Sequence, residues 1–450
     1  MSFPRKNFRR FYRETTIKQK ASRNERLSGR KRRNLFLMVL VPVLVSLGIA
    51  TNALLLNLGD LGLGGTDNSY ATSPLLSIPV SRPWCETVRE ARDGLSLQKL
   101  HVSYPCEGLK PAVSAIVCML TDGATTEKAN RIVFSARDYI NGAMSLGASL
   151  EGRIDPSRTH MLLLLRQGFE LERDDLVRLE SVGWTIGTAP DFPLPKKYLP
   201  RFPRYKTTYT KVSAIGLSEY ECVMLMDADT LAVGDLTDVM ECGTVFRHPN
   251  NRVAGTIDWY RMGWKLFNTG SILWKTDARE MERVFNLTED PSFMKRYGSD
   301  QDFLNNVYPD RLHNTTLNEE IVALDNAEAR SAAAASGSKL SPVVPHGPAS
   351  AGAVVPLSWD YNAQTHAEVQ NPGFWTSHRP TAKILHFTEK KGWQCERTTE
   401  EPVPPEKMPE KCKKELPICF CREAHLYWRA LERAEALAAT ALAAAGGGAR

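Results

Sequence analysis

The pattern of apolar and polar positions changes character twice along this chain. Leu35–Leu56 is a run of 22 positions without a charged side chain. As a helix it would span about 33 Å, enough to cross a bilayer core. Residues 57–110 show little periodicity and are broken by Gly, Ser and Pro, which reads as a stem. From Pro111 onward, short apolar runs alternate with amphipathic stretches. Val113–Leu120 predicts a buried strand, Ile140–Leu150 the end of an amphipathic helix and Met161–Leu165 a second strand. A charged helix around Leu171–Leu179, a short strand at Trp184–Ile186, a helix over Tyr209–Leu217 and a buried strand at Cys222–Met226 follow. Such strand–helix repetition predicts an α/β fold on a mainly parallel sheet. Val253–Ile257 and Phe267–Trp274 come without long helices between them, so the second half is expected to be mixed rather than strictly doubly wound. Residues 327–355 (rich in Ala, Ser, Gly and Pro) read as a low-complexity insertion in a loop. Ala424–Ala445 is an alanine-rich, helix-prone stretch that runs into three glycines, and the pattern gives it no role.

Charge sharpens the reading of the first segment. Residues 1–33 hold thirteen Lys/Arg against two acids, a local +11, so within a net charge of +6 residues 34–450 carry −5. The basicity belongs to a short tail, and the body gives no reason to expect a nucleic-acid partner. Dense positive charge ahead of an apolar run keeps the amino terminus in the cytoplasm. The expectation is a single-pass type II arrangement, with 1–33 a cytoplasmic tail, 34–56 a transmembrane signal-anchor and the rest lumenal. A cleaved signal peptide is the rival, with Thr51-Asn52-Ala53 as a small-residue site, yet the charged region exceeds thirty residues and apolar positions continue past the site.

Nine cysteines and two sequons, Asn286-Leu-Thr and Asn314-Thr-Thr, fit a lumenal body. Cys395, Cys412, Cys419 and Cys421 cluster late and are expected to staple the tail as disulfides, since their spacing lacks two Cys-x-x-Cys pairs of a zinc site. Cys85 and Cys106 would pin the stem locally. Cys118 and Cys222, inside apolar runs, read as buried thiols.

Candidate chemistry concentrates at Cys222-Val-Met-Leu-Met-Asp-Ala-Asp-Thr230. An apolar strand leading into Asp-Ala-Asp puts two carboxylates at a strand's carboxyl end, where open α/β sheets bind ligands. Residues i and i+2 of extended chain point the same way, so Asp227 and Asp229 can face one cation. Oxygen ligands suit Mg²⁺ or Mn²⁺, which bridge phosphate oxygens. A capped turn with solvated acids is the bland alternative. Strand-Asp-x-Asp-x-Thr also opens haloacid-dehalogenase-type phosphatases, but there it begins the core domain, whereas here more than a hundred residues of α/β pattern come first.

The chain carries, in order, Tyr139-Ile-Asn-Gly-Ala-Met-Ser-Leu-Gly-Ala-Ser-Leu150, Lys211, the two aspartates, Phe267-Asn-Thr-Gly270, Asp300-Gln301-x-x-Leu-Asn305 and His386-Phe-Thr-Glu-Lys-Lys-Gly-Trp393. This series resembles glycosyltransferase family 8, the glycogenin-like enzymes, over about residues 112–393. The resemblance implies a GT-A fold across residues 111–395, a UDP-sugar donor, Mn²⁺ (or Mg²⁺) and transfer with retention of anomeric configuration. It implies that Asp227, Asp229 and His386 hold the metal, with Ala228 between the acids. Tyr139 would lie against the uracil, Lys211 and Lys391 near diphosphate or sugar, and Asn268 and Gly270 in the turn beside the sugar. Asp300 and Gln301 would flank the reacting carbon, with Asp300, Gln301 and Lys391 as the catalytic set. By itself each would be ordinary: a packed strand histidine, surface lysines, a helix-face tyrosine, a Ser299-Asp300 cap.

Two departures stand out. No equivalent of the glycogenin self-glucosylated tyrosine occurs where the insertion lies, so autoglucosylation is not expected, and the spacing from His386 to Lys391 is one residue shorter than usual. With the anchor, the expectation is a Golgi enzyme, the endoplasmic reticulum being the alternative, that acts on a polysaccharide or glycoprotein acceptor. A homodimer is left open, residues 396–450 form a Cys-containing, Ala-rich tail, and a non-catalytic glycan-binding protein on the same fold is the other class to consider.

Overall fold

The computed structural model describes residues 84–309 and 353–447, apart from stretches within 94–100, 122–134, 193–204, 259–265, 289–297, 368–378 and 402–419. The basic tail, the expected anchor, Asn314, Cys412, Cys419 and most of the low-complexity insertion lie outside the described residues. The chain divides into two compact units, Met1–Ile78 and Pro79–Arg450, and every described residue belongs to the second. Among the described residues no helix is long and apolar enough to cross a membrane.

Helix α1 (Trp84–Asp93) precedes strand β1 (Ser114–Leu120). Helix α2 (Ala136–Leu150) opens on a capping box: the Ser135 hydroxyl accepts from the Asp138 amide at 3.2 Å, and the Asp138 carboxylate accepts from the Ser135 amide at 2.8 Å. Then come β2 (Thr159–Arg166), α3 (Arg173–Glu180), β3 (Thr185–Ala189), β4 (Cys222–Met226), β5 (Thr230–Ala232), β6 (Val253–Ile257) and β7 (Phe267–Lys275). The chain continues through α4 (Ala278–Leu287), α5 (Asp300–Val307), β8 (Val354–Pro356), β9 (Ala363–Gln364), β10 (Ile384–His386) and α6 (Ala424–Gly447).

Seven strands form one sheet in the order β8-β6-β7-β4-β1-β2-β3. All neighbours are parallel except the two pairs that involve β7, which alone runs against the others. The sheet is therefore mixed and mainly parallel, as the strand–helix pattern led one to expect. Its central strands are covered on both faces, which is why β1, β2 and β4 read as continuous apolar runs: Ile116, Val117, Leu162, Leu163, Val223 and Met224 are all fully buried. A second sheet, β9-β10-β5, pairs β10 antiparallel to β5 and parallel to β9.

Three elements differ from the pattern reading. Over Tyr209–Leu217, one α-helical turn at Tyr205–Thr208 gives way to a 3₁₀ run, Tyr209–Gly216. Its β-branched Thr210, Val212 and Ile215 are poor α-helix formers, and burial of every residue from Tyr209 to Ile215 favours the tighter form. Cys222 is not a free thiol: it is disulfide-bonded to Cys242. Its partner lies in the short turn Cys242–Val245, which the return of the chain through β5 brings beside the start of β4. Finally, the last residues of the low-complexity stretch, Val354 and Val355, belong to the sheet as its outermost strand. Cys85 pairs with Cys106 as expected, Cys395 of the late cluster, for which the sequence assigned no pairing, is bonded to Cys421, and among the described cysteines Cys118 is a buried free thiol.

Both chain ends of this unit pack onto the body. Trp84 and Val88 of α1 are buried, the Tyr104 hydroxyl donates to Glu219 at 2.7 Å, and Ser103 pairs with Thr188 through two backbone hydrogen bonds. Helix α6 lies on α2 and α3 with Tyr427, Leu431, Ala434 and Ala438 buried along one face, the spacing of a helix stripe. Asn286 of the first sequon is exposed at the end of α4.

The Cys222–Cys242 bond closes a separation of 20 residues behind the strand that carries the acidic pair. Replacing both cysteines by Ala is expected to lower the unfolding free energy by about 2–4 kcal/mol, read as a reduced urea midpoint. Coincident unfolding curves would contradict this.

Candidate active site

Strand β4 ends in Asp227-Ala228-Asp229-Thr230, where the chain turns into β5. The turn is closed by the Thr230 amide and hydroxyl, which donate to the Asp227 carbonyl at 2.9 and 2.7 Å. Two other strands clamp it. The Asp227 amide donates to the Gly270 carbonyl on β7 at 2.8 Å, and the Phe387 amide, just past β10, donates to the Asp229 carbonyl at 2.9 Å. The β5–β10 register places His386 opposite Thr230. Backbone ladders thus bring three segments, distant in sequence, to one point.

The side chains converge accordingly. One ligand atom from each of Asp227, Asp229 and His386 lies within 4.8 Å of the others, and His386 Nε2 is 3.5 Å from Asp229 Oδ1. Lys211, buried in the 3₁₀ run, donates to both Asp227 oxygens at 2.9 and 3.1 Å and pairs with Asp300 Oδ2 at 3.0 Å. The Thr269 hydroxyl donates to the same Asp300 oxygen at 2.9 Å. Lys391 pairs with Asp229 and donates to the Phe387 carbonyl at 3.0 Å. Three carboxylates therefore face two ammonium groups, and this excess of negative charge suits a cation.

A second network holds the imidazole. His386 Nδ1 is 3.0 Å from Asn362 Oδ1; with the proton on Nδ1, the Nε2 lone pair faces the aspartates. Asn362 Nδ2 donates to Asn268 Oδ1 at 3.0 Å, and the Gly270 amide donates to that oxygen at 2.9 Å. Asn268 Nδ2 reaches Asp258 at 3.4 Å, Gln301 Nε2 donates to Asp258 at 3.0 Å, and Gln301 Oε1 accepts from the Thr269 amide at 3.2 Å. Asp258 and Asn362 were not found by sequence reasoning. Asp258 had a signal: like Asp227, it ends an apolar strand at the sheet's carboxyl edge. Asn362, in a loop, had none.

Glycines permit the close approaches. A Cβ on Gly270 would lie 2.0 Å from His386 Cε1, and one on Gly142 would lie 2.4 Å from the Ala228 carbonyl oxygen. Tyr139, three residues before Gly142 on α2, meets Trp393 edge-on with ring centroids 5.3 Å apart. Every residue singled out from the sequence therefore falls around one pair of strand ends, from Tyr139 and Trp393 on one side to Asp300 and Gln301 on the other.

Burial sets the protonation states. It pushes Asp227 up to about 6, against the pull of Lys211. Burial also acts to raise Asp229, but Lys391 and His386 outweigh it and hold this carboxyl below its ordinary value. His386 is driven down to about 4 by burial, although Asp229 pulls the other way, so its ring is neutral near pH 7 and able to ligate. Burial works against the charged form of Lys211, but Asp227 and Asp300 raise it above its ordinary value. Two carboxylate oxygens and one neutral imidazole nitrogen, oriented by Asn362, form a donor set suited to Mn²⁺ more than to Mg²⁺.

No family model matches the chain. The chain is similar to a plant glycosyltransferase. That protein is inositol phosphorylceramide glucuronosyltransferase 1 of Arabidopsis thaliana, 22% identical over 203 residues, covering 44% of this chain and 34% of the relative. This chain thus matches about a third of the length of that relative. Solved structures with a similar arrangement include the apo form of the bifunctional glycosyltransferase WbbM, at 16% identity and TM-score 0.39 over 64% of this chain and 47% of that one. The galactosyltransferase LgtC with donor and acceptor sugar analogues matches at 16% identity and TM-score 0.36, over 67% and 95%. Mouse xyloside xylosyltransferase 1 matches at 12% and 0.35, over 61% and 97%.

Replacing Gly270 by Ala is expected to displace the His386 ring and to destabilise the fold by about 1–3 kcal/mol. A crystal structure of the variant with the imidazole unmoved would contradict this. A pH effect follows as well. Burial lowers His366, bonded to Thr388 at 2.6 Å, to about 3, and His386 to about 4. Unfolded imidazoles titrate near ~6.5, so between about pH 6.5 and 4 the folded state binds fewer protons, and stability falls as pH drops. Asp227, raised by burial, acts with the opposite sign between about 4 and 6, so the comparison must be with a variant. The His366→Asn/His386→Asn double variant is expected to lose less of its own urea stability than wild type between pH 7 and 5; equal losses would refute it.

Proposed function

We propose that this protein is a divalent-metal-dependent glycosyltransferase of GT-A type that moves a sugar from a UDP-sugar to a glycan acceptor with retention of anomeric configuration. The observation that carries the reading is the convergence of Asp227, Asp229 and His386 at the carboxyl end of β4, within 4.8 Å of one another. Similarity to a glucuronosyltransferase supports the same class and puts UDP-glucuronic acid first among donors to test. The motif series stated above favours the glycogenin-like family.

Asp227, Asp229 and His386 would hold a Mn²⁺ ion, which when bound would supply positive charge where the leaving diphosphate becomes more negative. Lys391, anchored beside Asp229, adds a second positive charge at the same end. Tyr139, paired with Trp393, is the aromatic ring against which the uracil would lie. Asp300 is fixed by Lys211 and Thr269 and places a carboxylate on the sugar side, where positive charge develops on the anomeric carbon. Asn268 and Gln301, held through Asp258 and Asn362, present amides for sugar hydroxyls. The acceptor hydroxyl oxygen would bond to the anomeric carbon from the face the diphosphate leaves, as the bond from that carbon to the diphosphate oxygen breaks and the hydroxyl proton passes to the departing diphosphate. With the basic tail and the apolar run of residues 34–56, the reading extends to a type II protein of the Golgi membrane.

A glycan-binding protein without activity on the same fold is the second reading, and the intact acid–acid–imidazole cluster favours the enzyme. A panel of UDP-sugars is to be offered to the purified protein with Mn²⁺ while UDP release is followed. The expected result is turnover of one donor, loss with chelator, and a fall of at least about 100-fold in Asp229→Asn. Binding of neither Mn²⁺ nor UDP, with no donor consumed, would overturn the assignment.

A further inference from the structure

The alanine-rich C-terminal helix carries no chemistry of its own, yet it touches the segment that does. Cys421 lies three residues before α6 and is bonded to Cys395, which closes the turn Gly392–Gln394 immediately after Lys391. A covalent tie therefore joins the helix to the stretch that leads out of β10. One turn into α6, Tyr427 is 1% exposed, and its ring abuts the Gly392 backbone. A Cβ on Gly392 would lie 2.5 Å from Tyr427 Cγ and 2.9 Å from its Cβ, so only glycine admits the ring there.

The same ring reaches both flanks of the segment. Its centroid is 6.1 Å from those of Phe387 and Trp393. Phe387 follows His386; its amide bonds Asp229, and its carbonyl accepts from the Lys391 ammonium. Trp393 packs on Tyr139 and would contact any side chain added at Gly142. Between Phe387 and Gly392 the chain forms no strand or helix of its own. Glycine at 392 leaves its backbone the widest conformational choice, which packing must restrict if Lys391 is to stay on Asp229.

We propose that Tyr427 is a positioning residue of the active site: a wedge from the C-terminal helix that holds residues 387–393, and through them His386, Lys391 and the Tyr139–Trp393 pair, in the geometry that takes cation and nucleotide. This rests on the functional reading given above. The ring, rather than the hydroxyl, does the holding, because the contacts with Gly392, Phe387 and Trp393 are made by the ring and its Cβ.

The test is titration of the full chain with Mn²⁺ and then with UDP, at a temperature where circular dichroism shows each variant folded. Y427A is expected to weaken both affinities at least about 10-fold, the size expected when the support of a ligand is removed, and to raise the donor KM more than it lowers kcat. Y427F, which keeps the ring, is expected to stay within about 3-fold of wild type. L431A removes a buried side chain from the same helix, one turn beyond Tyr427. It is expected to lower the melting temperature and leave both affinities unchanged, as a purely structural role would. Should Y427A not fold, Y427L is read by the same criteria. Wild-type affinities in Y427A or Y427L, or losses in L431A as large as theirs, would overturn the proposal. If wild type binds neither Mn²⁺ nor UDP, it is the functional reading that fails, and with it the ground for this one.

Discussion

Three carboxylates crowded at the end of a buried strand set the terms for everything around them. Asp229 and Asp300 are nearly inaccessible, and Asp227, whose side chain keeps about a third of its surface exposed, shares Lys211 with Asp300. Like charges so placed repel strongly, and desolvation adds to the cost. Two ammonium groups make the cluster sustainable. Lys211 is the more telling, because it reaches Asp227 and Asp300 at once from a stretch with no exposed face. The 3₁₀ winding of that stretch can be understood as the form that keeps a buried, charged lysine within reach of both acids. Removing one partner from such a pair typically costs about 3–5 kcal/mol, so stability and chemistry are tied together here.

The one strand of the seven-stranded sheet that runs against the others is the second constraint. Because β7 runs against its neighbours, its Phe267-Asn-Thr-Gly270 start lies beside the carboxyl end of β4 instead of at the far side of the sheet. A parallel strand would have brought its last residues there. The reversal lets a backbone without a side chain, at Gly270, lie under the imbedded imidazole, and it lets Asn268 and Thr269 link the metal-ligand candidates to α5. The small sheet β9-β10-β5 then delivers His386 from the other side.

Much of this was legible in the sequence, for physical reasons that differ by element. The strands of the first half were visible because a doubly covered parallel strand must be apolar throughout, as Leu162–Leu165 is. Asp227 and Asp229 were visible as candidates because acids at i and i+2 after such a run can face one cation, although a capped turn with solvated acids fits the same pattern. His386, Asn268 and Gln301 carried no local signal strong enough by themselves, and only the ordered series of motifs pointed to them. Asn362 and the Cys222–Cys242 bond were hidden because each depends on where the chain returns, which periodicity does not encode. Tyr427 was hidden for a related reason: in an alanine-rich helix its aromatic ring looks like ordinary packing until the segment beneath it is known.

The outermost strands carry a consequence of another kind. At one border of the described sheet, β8 ends in Pro356, which has no amide hydrogen to offer an incoming strand. At the other, Thr188 of β3 already exchanges both of its backbone hydrogen bonds with Ser103, whose segment is tethered by Cys85–Cys106. Open sheets are templates for unwanted association between chains, because bare ladders recruit one another. Here each margin is blunted locally, by an imino ring on one side and by a segment held by a sulfur bridge on the other, so both edges offer an incoming strand a shorter ladder.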